Sequence, residues 1–206
     1  MPIPTTISFV RHGHVHNPQK IVYGRLPGFG LSETGRQQAS AAAAVCRAWN
    51  LAAAFSSPQL RARQTADIIL AAHSALSLST SPWLDEVHTP YDGYDLSEMT
   101  ARNWDIYSGV GPEFEQPADL VARLRQFMNH VRQEYPGQHV LAVTHGDPIA
   151  FLILWTKSRP LQPDQKETLT SLGLADNYPQ PASITTVTFQ SAAADEQPSL
   201  DYVRPY

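Results

Sequence analysis

The chain has 206 residues, a formal net charge of −4 and a pI near 6.0, with 42% hydrophobic and 17% charged residues. That composition fits a globular protein with a sizeable core and argues against a general nucleic-acid surface. No apolar run approaches the roughly 20 residues needed to span a bilayer, so neither nucleic acid nor membrane is expected as a partner.

Met1 to Thr6 show no basic segment followed by an apolar stretch, so no signal peptide is read there. The single cysteine, Cys46, cannot form an internal disulfide. It sits in an Ala-rich helical pattern as core filler. A cytoplasmic setting is expected.

Ile7 to Val10 is a short apolar run that reads as a buried strand and leads directly into Arg11-His12-Gly13. Residues 14–32 are a loop rich in glycine, proline and polar groups. Ser32 is the expected N-cap of a helix running to about Asn50, with Glu33 at its positive end and high helix propensity from Ala39 to Ala44. Residues 52–57 read as a second strand. Pro58 suits the first turn of a helix that reaches about His73. Residues 76–81 alternate like a third strand.

Residues 85–117 break this rhythm with Pro90, Gly93, Gly109, Gly111, Pro112 and Pro117 and with the aromatics Tyr91, Tyr94, Trp104, Tyr107 and Phe114. They read as an excursion with a short helix at Leu96–Asn103, either a lid-like substrate wall or a surface insertion with its own small core. A helix at 118–134 carries Leu120, Leu124, Phe127, Met128 and Val131 at core spacing. A second apolar strand at 138–144 ends in His145-Gly146, and a helix at 148–157 follows. After a Pro-rich link at 159–163 come a β-branched strand at 184–189 and an edge strand at Leu200–Val203. The alternation predicts one α/β domain over residues 1–206. Its architecture is a three-layer sandwich with a mainly parallel central sheet flanked by helices.

Two strands thus end in His-Gly. Open α/β sheets keep their ligand sites at the carboxyl ends of the strands. If the two strands are neighbours, His12 and His145 face one crevice. Arg61 falls in the first turn of a helix near the end of the second strand, where backbone N–H groups add positive potential. Arg11, Arg61, His12 and His145 then make a cup for a tetrahedral dianion. His12 itself can be a base, a nucleophile or a ligand.

The sequence resembles the histidine phosphatase superfamily, whose members include phosphoglycerate-mutase-like phosphatases. The resemblance rests on Val10-Arg11-His12-Gly13, Leu31 to Ala39, Ser57 to Ala66, Leu84-Asp85-Glu86 and Val143-Thr144-His145-Gly146, in the family's order and spacing. It implies a phosphomonoester hydrolase acting through a phosphohistidine. His12 would be the nucleophile, with Arg11, Arg61 and His145 holding the phosphoryl oxygens. Glu86 would be the proton donor and then the base, with Asp85 as competitor. That role calls for a raised pKa in the substrate complex. Asn17, Gly24, Arg25 and Gly146 are further phosphate-binding candidates, although Arg25 reads equally as a surface cation. No metal and no cofactor are implied.

Departures also exist. Val15 stands where many relatives carry threonine, Asn17 lies one place early, and the stretch after Glu86 lacks a Gly-x-Trp-x-Gly run. The expected partner is a small-molecule phosphomonoester, and a homodimer is left open.

Three other readings compete. His12, His14 and His16 alternate and on one extended strand could bind zinc, but Gly13 marks a turn. A mutase would use the same nucleophile, and a non-catalytic phospho-ligand-binding module would have no need of Glu86. The Gly24 to Gly30 loop lacks nucleotide-binding spacing. Arg63 is read as structural.

Overall fold

Strands buried on both faces need helices on both sides of the sheet, and the two apolar runs that end in His-Gly are of this kind. The computed structural model describes residues 4–193 and 195–206. β1 (Thr5–Arg11) and β4 (His139–Thr144) lie side by side and parallel at the centre, with Arg11 opposite Thr144. β2 (Leu51–Ser56) pairs parallel with β4, and β3 (Leu78–Thr80) pairs parallel with β2. On the other side of β1, β5 (Ile184–Phe189) and β6 (Ser199–Val203) run antiparallel. The order is β3-β2-β4-β1-β5-β6, a mixed and mostly parallel sheet, as expected.

Successive residues of β4 face opposite layers, as strand geometry demands. Val140 and Ala142 pack with Ile7 and Phe9 against α4 (Pro117–Glu134) and α5 (Gly146–Thr156). Leu141 and Val143 pack with Val10 and Ile184 against α1 (Glu33–Cys46) and α2 (Leu60–Leu70). The α4 stripe Leu120, Leu124, Phe127 and Val131 is fully buried. Each such side chain contributes about 1.5–3 kcal/mol through burial. Among the described residues, no helix is long and apolar enough to cross a membrane.

The structure shifts several expected boundaries. Ser32 caps α1 as expected, its side chain accepting from Gly35 N at 3.0 Å, but the helix stops at Cys46 rather than Asn50. Pro58 lies outside α2. The chain turns at Ser57-Pro58, and Gln59 is the N-cap, so the helix opens at Leu60. β3 is only three residues long. α5 opens at Gly146, two residues early, with His145 in extended backbone as its N-cap. Pro148 is accommodated because first-turn N–H groups have no intrahelical partner to lose.

The excursion contains α3 (Leu96–Ala101), capped by Asp95, which accepts from Ser97 N at 2.8 Å. Leu84, Val87 and Tyr107 join the layer formed by α4 and α5. The segment is therefore anchored in the core on that side of the sheet.

Candidate active site

Because β1 and β4 are adjacent and parallel, the residues just past their ends are neighbours. His12 N donates to Thr144 O at 3.0 Å, and the rings of His12 and His145 lie 5.2 Å apart, edge to face. His12 Nδ1 lies 2.8 Å from Gly13 O, and Arg61 Nε lies 3.3 Å from His12 Nε2. A carbonyl can only accept and a guanidinium can only donate. The ring therefore carries its proton on Nδ1 and keeps the Nε2 lone pair free. Burial, reinforced by Arg61, His145 and Arg11, pushes the His12 pKa well below the usual imidazole value. His12 is neutral at pH 7.

Arg61 enters from the first turn of α2 and is fully buried. Its Nη2 donates to Gly24 O at 2.7 Å and lies 3.2 Å from His145 Nδ1 and 3.3 Å from Glu86 Oε2. Tyr23 covers the guanidinium face at 4.7 Å. Arg61 Nη1 and Arg11 Nε are buried with no hydrogen-bond partner. Orphaned buried donors of this kind are costly, and an anion bearing several acceptor oxygens would satisfy both. Arg11 Nη1 donates to Pro179 O at 2.6 Å, with the guanidinium over the Tyr178 ring at 5.1 Å.

Glu86 follows the short 3-10 turn Pro82–Leu84, which is tied to β4 by Thr144 Oγ1 donating to Leu84 O at 2.6 Å. Its Oε1 accepts from Val87 N at 3.0 Å, and its Oε2 lies 3.2 Å from His145 Nδ1. Burial alone would raise its pKa, but His145 and Arg61 outweigh this and hold it well below the usual carboxylate range. The raised value expected from the sequence is thus not a property of the ligand-free site. Glu86 lines the cavity that also holds His12, and Asp85 does not. Asp85 Oδ1 instead accepts from Ser57 Oγ at 3.1 Å, Gln59 Nε2 at 2.9 Å and Glu86 N at 2.8 Å. Ser57 Oγ in turn meets His145 Nε2 at 2.8 Å. Asp85 holds the back of the site, not its front.

The cavity has a volume of about 420 Å³, and Arg11, His12, Asn17, Gly24, Glu86 and Gly146 reach its wall. Arg61 and His145 lie fully buried in contact with His12, beneath that wall. Gly146 brings the N-terminus of α5, with its unpaired N–H groups and positive dipole end, to the cavity. Asn17 is on the wall, but its carboxamide is engaged at both ends with the Ile21 backbone, at 2.9 and 3.3 Å.

Arg25 requires a correction. It does not face the phosphate end. Its Nε and Nη2 donate to Glu86 O at 2.8 and 2.6 Å, and Nη2 also reaches Glu115 at 2.9 Å. The carboxylates behind the Glu86 loop draw the guanidinium there, so Arg25 braces that loop. Arg63 is exposed on α2. His14 bonds Ser32 Oγ at 2.8 Å, and neither His14 nor His16 joins a metal-ligand group among the described residues. The ligand-type cluster there is His12, Glu86 and His145, within 4.8 Å of one another. The Arg61 guanidinium touches all three, which favours an anion over a metal cation.

Sequence reasoning gave no role to a second tier of residues. Asp147 Oδ2 accepts from Tyr107 OH at 2.6 Å and Lys166 Nζ at 2.9 Å, and its Oδ1 accepts from Tyr178 OH at 2.6 Å. Thr65 Oγ1 accepts from Gly13 N at 3.1 Å, tying α2 to the His12 turn. Thr65 lay inside the Ser57 to Ala66 segment, and Asp147 directly follows the Val143 to Gly146 segment. Tyr178 and Lys166 lie in a polar stretch without periodicity, which carried no signal.

A mostly parallel sheet with two imidazoles and two guanidinium groups gathered at the carboxyl ends of its central strands defines an α/β protein with an anion-binding cup. The chain belongs to the histidine phosphatase superfamily (branch 1), whose family model matches residues 7–191. It is 35% identical over 173 residues to the uncharacterized protein Rv0525 of Mycobacterium tuberculosis, covering 81% of this chain and 85% of that one. It is 29% identical over 150 residues to the uncharacterized phosphatase PhoE of Bacillus subtilis, covering 72% and 76%. Among solved structures, the fold is similar to mycobacterial glucosyl-3-phosphoglycerate phosphatase Rv2419c, with a TM-score of 0.77, 24% identity and coverage of 98% and 99%.

Proposed function

We propose that this protein is a metal-independent phosphomonoester hydrolase working through a phosphohistidine on His12. The observation that carries the reading is the fixed tautomer of His12: Nδ1 is held by Gly13 O, so the free lone pair is on Nε2, beside a buried arginine. A neutral imidazole flanked by orphaned guanidinium N–H groups suits attack on phosphorus.

A bound phosphoryl group would take the donors of Arg61 and Arg11 that now have no partner, and would draw Arg61 Nε off His12 Nε2. The Nε2–P bond then forms as the P–O bond to the leaving group breaks. The leaving oxygen takes a proton from Glu86. Glu86 is ionised in the free site, so its proton arrives with the substrate, whose second ionisation lies near pH 6. The dianionic charge of bound phosphate offsets the pull of His145 and Arg61 on Glu86. Water then attacks the phosphohistidine and gives its proton to Glu86. The P–Nε2 bond breaks, the proton on Glu86 departs with the phosphate, and His12 is neutral and Glu86 ionised again. Arg11, Arg61, His145 and the α5 N-terminus stabilise the charge on the equatorial oxygens. Asn17, Gly24 and Gly146 shape the phosphate end, Gly24 chiefly by holding Arg61 through its carbonyl.

We place this activity in the cytoplasm, since Cys46 is a buried lone thiol, its pKa pushed up by burial to about 12. The excursion at 85–117 acts as a substrate wall of one domain, supplying Glu86 and several apolar cavity residues.

The test is to trap the intermediate. Rapid alkaline quench of the native protein with a labelled phosphomonoester is expected to yield a base-stable, acid-labile adduct on His12. Glu86→Gln is expected to accumulate it and His12→Ala to abolish both adduct and turnover. Full turnover by His12→Ala would remove the proposal.

A further inference from the structure

The cavity that holds Arg11, His12 and Glu86 is also lined by Ile21, Val22, Val87, Leu96, Trp104 and Ile106. Trp104 is 39% exposed, one of the few large apolar side chains left open to solvent among the described residues. Solvent-exposed indole on a concave wall is a site for an apolar ligand group.

Its backbone is also unusual. Asn103 and Trp104 are consecutive left-handed residues, with φ of 51° and 55° and neither a glycine. Such a conformation persists only when its surroundings hold it. Two bonds do so. Trp104 N donates to Met99 O at 2.9 Å, at the end of α3, and Trp104 O accepts from Lys166 Nζ at 2.9 Å. Lys166 is itself buried and pinned by Asp147.

That pinning decides the charge of the pocket. Apart from Arg11, Lys166 is the only lysine or arginine in the lining among the described residues, and its ammonium is committed to Asp147 and to the Trp104 carbonyl. Glu167 adds a further carboxylate to the same wall. A leaving group bearing its own carboxylate or second phosphate would meet a Lys166 already neutralised by Asp147, and the Glu167 carboxylate beside it.

Building on the hydrolase reading, we propose that the site selects phosphomonoesters whose leaving group is uncharged and apolar or ring-bearing. Trp104 is the specificity-determining contact. Lys166 is a positioning residue that holds Trp104 in place and does not bind substrate anions.

Two phosphonates that cannot be hydrolysed test this on the full chain by calorimetry: benzylphosphonate and 3-phosphonopropionate. The native protein is expected to bind the benzyl compound at least about tenfold more tightly, as one buried apolar group allows. Trp104→Ala is expected to bring the ratio of the two affinities close to one. Lys166→Met, which keeps the apolar stem, is expected to narrow the ratio by weakening the benzyl compound. Tighter binding of 3-phosphonopropionate by the native protein would overturn the proposal. So would a Lys166→Met variant that loses 3-phosphonopropionate alone, since Lys166 would then be a carboxylate grip. Phosphonates carry no scissile ester, so these outcomes stand apart from turnover. Preserved benzyl selectivity without any phosphohistidine would sink the hydrolase reading and leave this one.

Discussion

Arg61 ends in a guanidinium with five N–H donors, and the free site engages Nε and Nη2 while Nη1 finds no partner. The side chain therefore does two things at once. It fixes the His12 tautomer, and it keeps a donor in reserve for an anion. A lysine cannot do both, because a compact ammonium lacks the planar fork. Arg61→Lys is expected to lower kcat/KM by about 10²–10³, the scale of losing one preorganised donor. Steady-state kinetics on a small phosphomonoester checks this, and near-native kcat/KM would show that Arg61 is only structural. At this scale the sequence was informative where a residue type is rare at a strand end. His12 and His145 were legible for that reason, and Arg61 for its place in the first turn of a helix that follows a strand. The direction of a long side chain was not. Arg25 looked like a phosphate cation, yet Glu115 and the Glu86 carbonyl draw it behind the loop. Asp147, Tyr107, Tyr178 and Lys166 meet only through tertiary structure, from α5, the excursion, the 3-10 turn Pro163–Glu167 and the chain after it.

The turn after β1 packs directly on the first turn of α1. A Cβ added at Gly13 would meet Gly35 O at 2.4 Å, and one added at Gly35 would meet His14 O at 2.0 Å. Both neighbours are backbone, so neither can swing aside as a side chain would. Gly13→Ala must separate α1 from the β1 turn, and the Gly13 N–Thr65 bond and the His12–Gly13 O bond move with it. We expect a loss of about 1–3 kcal/mol, typical of overpacking, and a fall in turnover, because the His12 tautomer depends on that carbonyl. Urea unfolding and kcat measure the two effects, and an unchanged midpoint with native kcat would contradict the contact. The central strands were readable because a run of apolar residues buried on both faces has few alternatives. β5 was readable from its β-branched residues. β3 is short and largely exposed, so its ends carried little periodic signal. The start of α5 was misplaced because Pro148 reads as a first helical residue, whereas the helix tolerates it at the third position.

Three imidazoles in the whole molecule share one electrostatic circumstance. Burial is the first cause pushing each of them below the ordinary value: His12, with added repulsion from Arg61, His145 and Arg11; His145, against the opposing pull of Glu86; and His139, whose ring meets Ser8 Oγ at 2.9 Å. In the unfolded chain each titrates near about 6.5. Between that value and the lowered one, the unfolded state binds protons that the folded state refuses. Stability therefore rises with pH across this window. Their contribution is fully present above about pH 6.5 and is lost as pH falls through it. Each fully buried imidazole gives a slope of about 1.4 kcal/mol per pH unit inside its window, and half-buried His139 gives less because solvent screens it. Glu86 acts in a separate, lower window. Its folded pKa is depressed, so its contribution is present above about 4.3 and lost below. The urea midpoint is thus expected to be flat from about pH 7 upward, to fall as pH drops below about 6.5, and to fall again below about 4.3. His139→Gln, which lies away from the cavity, should flatten part of the first fall. A midpoint that holds steady between about pH 6.5 and 4.3 in the native protein would mean that the buried rings can take up protons in place. His12 would then be an imidazolium at mildly acid pH and no longer a nucleophile.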